Sequence, residues 1–246
     1  MLIKLPLPFF STALTPSSEF FVEMEDRASY HLSETQRIPN SHLPLLHCKK
    51  ALDHNPTSPA VAAVAAYDTF KKNGWDIQWL VQYGYTQRSH YHSTTHEAMA
   101  VLSGQATIRF GVADLSDNDE ENTTGGKWED GGVELQAEVG DVFIIPAGVA
   151  HKTYDTKPRA PFKRLTHGDG SRIESNDPRG LLAGIEAEGF TMLGAYPRGG
   201  VHDFVVEATS KEGHKLAWSV PRPPLDPILG DSPEGICGTW KRTSRL

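Results

Sequence analysis

From Trp75 onward, apolar and polar residues alternate in short runs closed by glycine, proline or asparagine. A two-residue period places alternate side chains on opposite faces of an extended chain, so this texture predicts strands with one buried face. The expected strands lie near 76–85, 88–93, 97–103, 105–112, 132–138, 141–145, 150–155, 190–196 and 202–206. Leu43-Pro-Leu-Leu46 reads as an edge strand that precedes them. One helix stands out upstream: Ser58 is a good N-cap, Pro59 suits the first helical position, and Asn73-Gly74 supplies a left-handed stop. Between them runs an alanine-rich segment whose Val61, Val64, Ala65 and Phe70 are expected to face the body of the protein. The fold class that follows is all-β, a sandwich or barrel of short strands with a single N-terminal helix near 59–72.

Two stretches interrupt the strand pattern. Residues 113–132 carry Asp117, Asp119, Glu120, Glu121, Glu129 and Asp130, and read as a solvated hairpin loop. The acidic spacing does not follow that of an EF-hand calcium loop. Residues 156–189 form a second insert, basic at its start (Lys157, Arg159, Lys163, Arg164), with a short helix expected in 178–188. It reads as a surface excursion, with a lid over a site as the sharper alternative. Residues 1–27 read as a flexible extension and 28–246 as a single domain.

Composition narrows the function classes. A formal net charge of -7 argues against a broad nucleic-acid or anionic-membrane surface. No apolar stretch approaches the roughly 18 residues that a membrane span needs. Pro6 and Pro8 break the short apolar run at the start, so it reads poorly as a targeting signal. Two distant cysteines, Cys48 and Cys237, make no disulfide framework and point to a reducing, cytoplasmic setting.

The chemistry concentrates in two segments. In the first, His90 and His92 are two apart, so on a strand they project together while Tyr91 points away, and Glu97 follows after a Ser-Thr-Thr turn. In the second, Gly140 to Gly148 leads through a Pro146-Ala-Gly turn into His151. Neutral imidazoles and a carboxylate suit one divalent transition metal, whether Fe, Mn, Ni, Cu or Zn, at about 2.0–2.2 Å for zinc. A donor set of this kind without cysteine leaves open positions, unlike a closed structural zinc site.

The segments match the paired cupin motifs, Gly-x5-His-x-His-x4-Glu-x6-Gly from Gly84 to Gly104 and Gly-x5-Pro-x-Gly-x2-His from Gly140 to His151. Where the second motif ordinarily ends in Asn, this chain has Asp155. With Ile38-Pro-Asn40, Asn73-Gly-Trp75, Gly194-Ala-Tyr-Pro197 and the proline-rich stretch to Asp226-Pro, residues 30–230 resemble the YjlB-like branch of single-domain cupins. The resemblance implies a double-stranded β-helix (cupin) barrel, often dimeric, with the metal on His90, His92, Glu97 and His151. It implies no particular reaction.

Around these ligands, Tyr83 and Tyr85 share a strand face and are candidates to present phenols to a metal-bound ligand. His96 is a candidate proton carrier, and Arg88 a candidate clamp for a carboxylate. Trp75 and Trp79 are expected to pack the core, and His167, His202 and His214 to lie at the surface. The leading functional expectation is a mononuclear metal-dependent enzyme, an oxygenase or related oxidoreductase acting on a small organic molecule. A redox-neutral isomerase or lyase using the ion as a Lewis acid, and a non-enzymatic small-molecule binder, stay open beside it.

Overall fold

A computed structural model describes residues 26–52, 55–168 and 170–241. The extension expected over 1–27 falls outside the described residues except at its end, where Arg27 opens a strand.

The chain is mostly β, in two antiparallel sheets. Strands β1 (Arg27–Tyr30), β2 (Leu45–Cys48), β3 (Trp75–Gln82), β4 (Glu97–Ser103), β5 (Gln105–Phe110), β6 (Val133–Ala137), β7 (Val142–Ile145), β8 (His151–Lys157), β9 (Lys163–Arg164) and β10 (Thr191–Pro197) follow in chain order. The larger sheet runs β1-β2-β7-β4-β10-β3-β9 and the smaller β6-β5-β8. Their ladders do not close into a barrel among the described residues, but bridges at Thr86↔Tyr154 and His90↔His151 stitch the segment after β3 onto β8. β2, expected at an edge, lies inside the sheet between β1 and β7.

Helix α1 (Pro59–Lys72) begins as its sequence dictates, with the Ser58 side chain accepting from the Val61 N–H and Gly74 left-handed just past the end. Its buried face is Ala62, Ala63, Ala66 and Phe70; of the expected stripe Phe70 is buried and Val64 packs against the core, but Val61 is exposed. The small alanines let the helix lie close on β3 and β4, with Phe70 joining Trp75, Leu80 and Leu193 in the core. Each fully buried side chain of that size contributes roughly 1.5–3 kcal/mol. The short helix expected in 178–188 is α3 (Pro178–Ala183), and three unexpected ones accompany it: α2 (Asp119–Thr123), α4 (Lys211–Ser219) and α5 (Ile236–Thr239). α4 is capped by Ser210, which accepts from the Gly213 N–H.

Two expected strands are absent as ladders. Residues 88–93 and 202–206 make only the single bridges His90↔His151 and Tyr91↔Val205. The reason lies in side chains that compete for the backbone: Asp114 takes the Ser89 N–H at 2.9 Å and Asp203 takes the Ser93 N–H at 2.7 Å. A strand whose N–H groups are bound by carboxylates at both ends cannot extend its ladder.

The acidic loop is also not simply solvated. Asp114 bridges Trp128, Asn122 and Thr123 are buried, and the Arg109 guanidinium lies 3.5 Å over the Trp128 ring while donating to the Asn122 and Thr123 carbonyls. The insert therefore packs on the face of β5.

Candidate metal centre

His90, His92 and His151 are buried, and one ring nitrogen from each lies within 4.8 Å of the others. Alternation does survive around His90 although the ladder does not. His90 and His92 face the cluster, whereas Tyr91 packs with Ile38, Ala113 and Ala150 on the other side. Gly148 makes the approach of the second segment possible. Its N–H donates to the His92 carbonyl at 2.8 Å, its φ is +86°, and a Cβ there would stand 2.5 Å from the Asn40 carbonyl oxygen. Only glycine meets both demands.

Each histidine ring is turned by a backbone carbonyl. Nδ1 of His90 faces the Arg88 carbonyl at 3.2 Å, Nδ1 of His151 faces that of Val149 at 3.4 Å, and Nδ1 of His92 faces that of Asp203. A carbonyl only accepts, so Nδ1 carries the proton and Nε2 keeps its lone pair for the centre. Asp203 further holds this edge by accepting from both the Ser93 N–H and hydroxyl.

Glu97 opens β4 beneath the rings. Its Oε1 accepts the Tyr196 hydroxyl at 2.5 Å, and that hydroxyl accepts in turn from the Trp79 indole N–H at 2.9 Å. Its Oε2 is buried without a hydrogen bond, 3.3 Å from Nε2 of His92 and 3.4 Å from Nε2 of His151. A buried carboxylate oxygen left unpaired is costly, and one set between imidazole lone pairs fits a cation as its missing partner. The three histidines could hold a metal ion, and Glu97 Oε2 lies beside two of them.

Electrostatics agree. Burial penalises charge on Glu97, but the neighbouring His92 and His151 and the Tyr196 hydroxyl outweigh it and hold the carboxyl well below its usual range. Burial lowers His92 too, yet Glu97 and the Asp203 carbonyl raise it overall. Burial, then the neighbouring imidazoles, depresses His90, and burial brings His151 down to about 4.

The cluster floors a cavity of about 180 Å³. Trp79, Val81, Tyr83 and Tyr196 form one side; Phe162, Arg164 and Gly170 of the second insert and His202 and Phe204 of the following loop border the rest. Larger hollows of about 550 and 610 Å³ near Trp218 hold none of the clustered histidines.

The remaining candidates are dispersed. Tyr83 borders the cavity, its phenol pushed far up by burial and by Glu97. Tyr85 lies beneath Arg159, whose guanidinium is 4.2 Å from the ring centre, and does not line the cavity. β3 ends at Gln82, so the alternation expected to align the two tyrosines stops before them. His96 points away: it accepts the Ala147 N–H at Nδ1, donates to the Pro221 carbonyl from Nε2, and packs on Trp240. Burial lowers it to about 4. Arg88 reaches toward Asp117 at 3.7 Å.

Sequence reasoning missed several participants. Trp79 packs against the core as expected but also borders the cavity, and His202, expected at the surface, borders it too, stacked on Tyr196 at 5.3 Å. Tyr196 gave one local signal, its place in Gly194-Ala-Tyr-Pro197. Gly194 has the physical role there, since a Cβ would stand 2.0 Å from the Trp79 indole. Asp155 also finds an explanation. Its φ is +50°, at a bulge where Gln105 and Thr107 of β5 face Lys157 and Tyr154 of β8, and Asp, like Asn, tolerates that region.

A Bacillus subtilis (strain 168) protein described as uncharacterised, YjlB, is 26% identical over 206 residues, covering 82% of this chain and 90% of its own. The chain resembles the YjlB-like cupins. No family model matches it. Among solved structures, an oxalate decarboxylase–formate complex from Lactobacillus farciminis is 13% identical over 74% of this chain and 34% of its own, with a TM-score of 0.28. RmlC from Streptococcus suis with dTDP-D-xylose is 10% identical over 55% and 49%, with a TM-score of 0.25. The chain thus spans a third to a half of these solved chains, and TM-scores this low carry no argument. Among its described residues, no helix is long and apolar enough to cross a membrane.

Proposed function

We propose that this chain is a mononuclear metal-dependent enzyme acting on a small organic molecule, built on a double-stranded β-helix, with His90, His92, Glu97 and His151 as ligands. One observation carries the reading: Glu97 Oε2 is buried and unpaired among imidazoles whose Nδ1 protons are committed to carbonyls. A bound ion supplies Lewis acidity and, if it is redox-active, one-electron chemistry toward O₂. The oxygenase-type reading is preferred because imidazole and carboxylate donors suit Fe(II) or Mn(II) and no thiol is present to close the site.

The chain's own groups then have definite tasks. Tyr196 holds Glu97 by one oxygen and keeps the other aimed at the histidines; Trp79 fixes the Tyr196 hydroxyl in that direction. Tyr83 and the aromatic wall exclude water from the cavity floor. Proton transfer near the substrate falls to His202, whose ring is half-buried at the cavity and held neutral by burial and by His92. Tyr85, a candidate to present a phenol, and His96, a candidate proton carrier, act in this proposal only through structure. A cytoplasmic homodimer completes the proposal; sedimentation at micromolar concentration tests that part.

The metal reading is tested by elemental analysis of protein purified without added metal. We expect about one transition-metal ion per chain, lost in His92→Ala with the circular-dichroism spectrum retained. Wild-type protein that neither carries nor takes up metal on titration would sink it. Substrate-dependent oxygen uptake, screened across small acids and phenols, separates the oxygenase from a redox-neutral enzyme or a passive binder.

A further inference from the structure

The cavity above the histidines has a charge of its own. Among the described residues that line it, Arg164 is the cationic side chain, and no aspartate or glutamate is present. The nearest acids are committed: Glu97 faces the histidines beneath, and both oxygens of Asp203 are taken by Ser93. Arg164 is placed by β9, which pairs it with Val81 of β3; the residue is exposed, and its Nη1 donates to the Gly168 carbonyl at 2.6 Å. Its charge reaches the cavity wall: after burial and His92, it is among the influences that lower His202.

Beside it stand two aromatic rings that a free protein ordinarily covers. Phe162 is 65% and Phe204 59% exposed, and both border the same cavity. Phe204 also stacks on His90 at 3.8 Å with only 14° between the rings, which presents a flat apolar surface above a buried imidazole. The cavity volume, about 180 Å³, is below the roughly 300–1,000 Å³ of sites for drug-sized ligands and suits a small organic molecule.

We propose that this cavity takes a small organic acid, its carboxylate held by Arg164 and its apolar body lying against Phe162 and Phe204 above the histidines. The proposal rests on reading the histidine–glutamate cluster as the metal centre, and it names the substrate class of that centre. A planar guanidinium meets a carboxylate through paired, parallel hydrogen bonds, so it fixes orientation as well as charge. Arg88, the carboxylate clamp expected from sequence, is on the Asp117 side and cannot serve. The second insert is thereby part of the binding site, since it supplies both Phe162 and Arg164.

The test is calorimetric titration of manganese-loaded protein with benzoate and 2-methylpropanoate and with their neutral amides. Each acid is expected to bind at least tenfold tighter than its amide. In Arg164→Met that preference should vanish while manganese stoichiometry and thermal midpoint hold, and Arg164→Lys should keep only part of it. Should Arg164→Met misfold, the Lys variant alone decides, by the size of its loss. Acids and amides binding alike, neither binding, or a preference that survives Arg164→Met overturns the proposal. Failure of the metal reading shows separately, as absent manganese uptake or equal uptake by His92→Ala; the acid–amide comparison on metal-free protein then decides the Arg164 anchor by itself.

Discussion

At the scale of the residue, the centre depends on a short relay from Trp79 through Tyr196 to Glu97. Removing the Tyr196 hydroxyl leaves Glu97 Oε1 unpaired in a buried setting and frees the carboxylate to turn. Tyr196→Phe should weaken metal binding about 10- to 100-fold, the usual effect of losing a group that orients a ligand, while the fold persists. Competition against a chelator of known affinity measures it; unchanged affinity would show that the hydroxyl does not orient Glu97. Gly194 acts on the same relay by leaving room. Because a Cβ there meets the Trp79 indole at 2.0–2.5 Å, Gly194→Ala should cost about 1–3 kcal/mol by overpacking and displace Trp79 from Tyr196. Urea unfolding together with the tryptophan emission maximum reports both effects, and a stability within error of wild type would refute this account.

At the scale of the element, the two histidine-bearing segments are clasped by one carboxylate. Asp114 accepts the Ser89 N–H beside His90 and pairs at 3.1 Å with the buried Lys152 beside His151. Burial lowers the Lys152 pKa and Asp114 offsets only part of that, so the lysine depends on its partner. Asp114→Ala should destabilise by about 3–5 kcal/mol, because it strands a buried ammonium. Asp114→Ala combined with Lys152→Met should recover much of that loss, since neither charge remains. Denaturant midpoints of the single and double variants decide it, and a double variant no more stable than the single one would argue against a stranded charge.

At the scale of the whole molecule, buried histidines tie stability to pH. In the fold His96 and His151 have pKa values of about 4, against about 6.5 in an unfolded chain. The unfolded chain therefore binds protons first as pH falls, so stability from these two is present at neutral pH and lost progressively between about pH 6.5 and 4. His92 runs the other way: its raised pKa contributes stability that is present below about 6.5 and lost as pH rises through the folded value. Glu97, depressed in the fold, adds to the acid loss only below about 4.5. The thermal midpoint of metal-free protein should thus fall on acidification from pH 7 to 4, and His96→Gln should flatten that dependence by up to one proton, about 1.4 kcal/mol per pH unit. A midpoint that rises over this range would reverse the argument.

How much of this was legible beforehand follows from distance along the chain. His90, His92 and Glu97 fall within eight residues, where alternation and a turn are enough to bring side chains together, and Pro146-Ala-Gly148 leads directly into His151. Local stereochemistry acts at that range, so the sequence by itself determined that the three histidines and Glu97 come together, the helix cap at Ser58 and the mostly β character. Tyr196, Asp203 and Arg164 reach the centre from about seventy to over a hundred residues away, through the pairing of β10 and β9 with β3 and the clamp of Asp203 on Ser93. No spacing rule links such positions. The tertiary structure alone decided which side chains orient Glu97, that residues 88–93 lose their ladder to Asp114 and Asp203, and that the second insert borders the cavity, because each depends on groups that only the completed strand order makes neighbours.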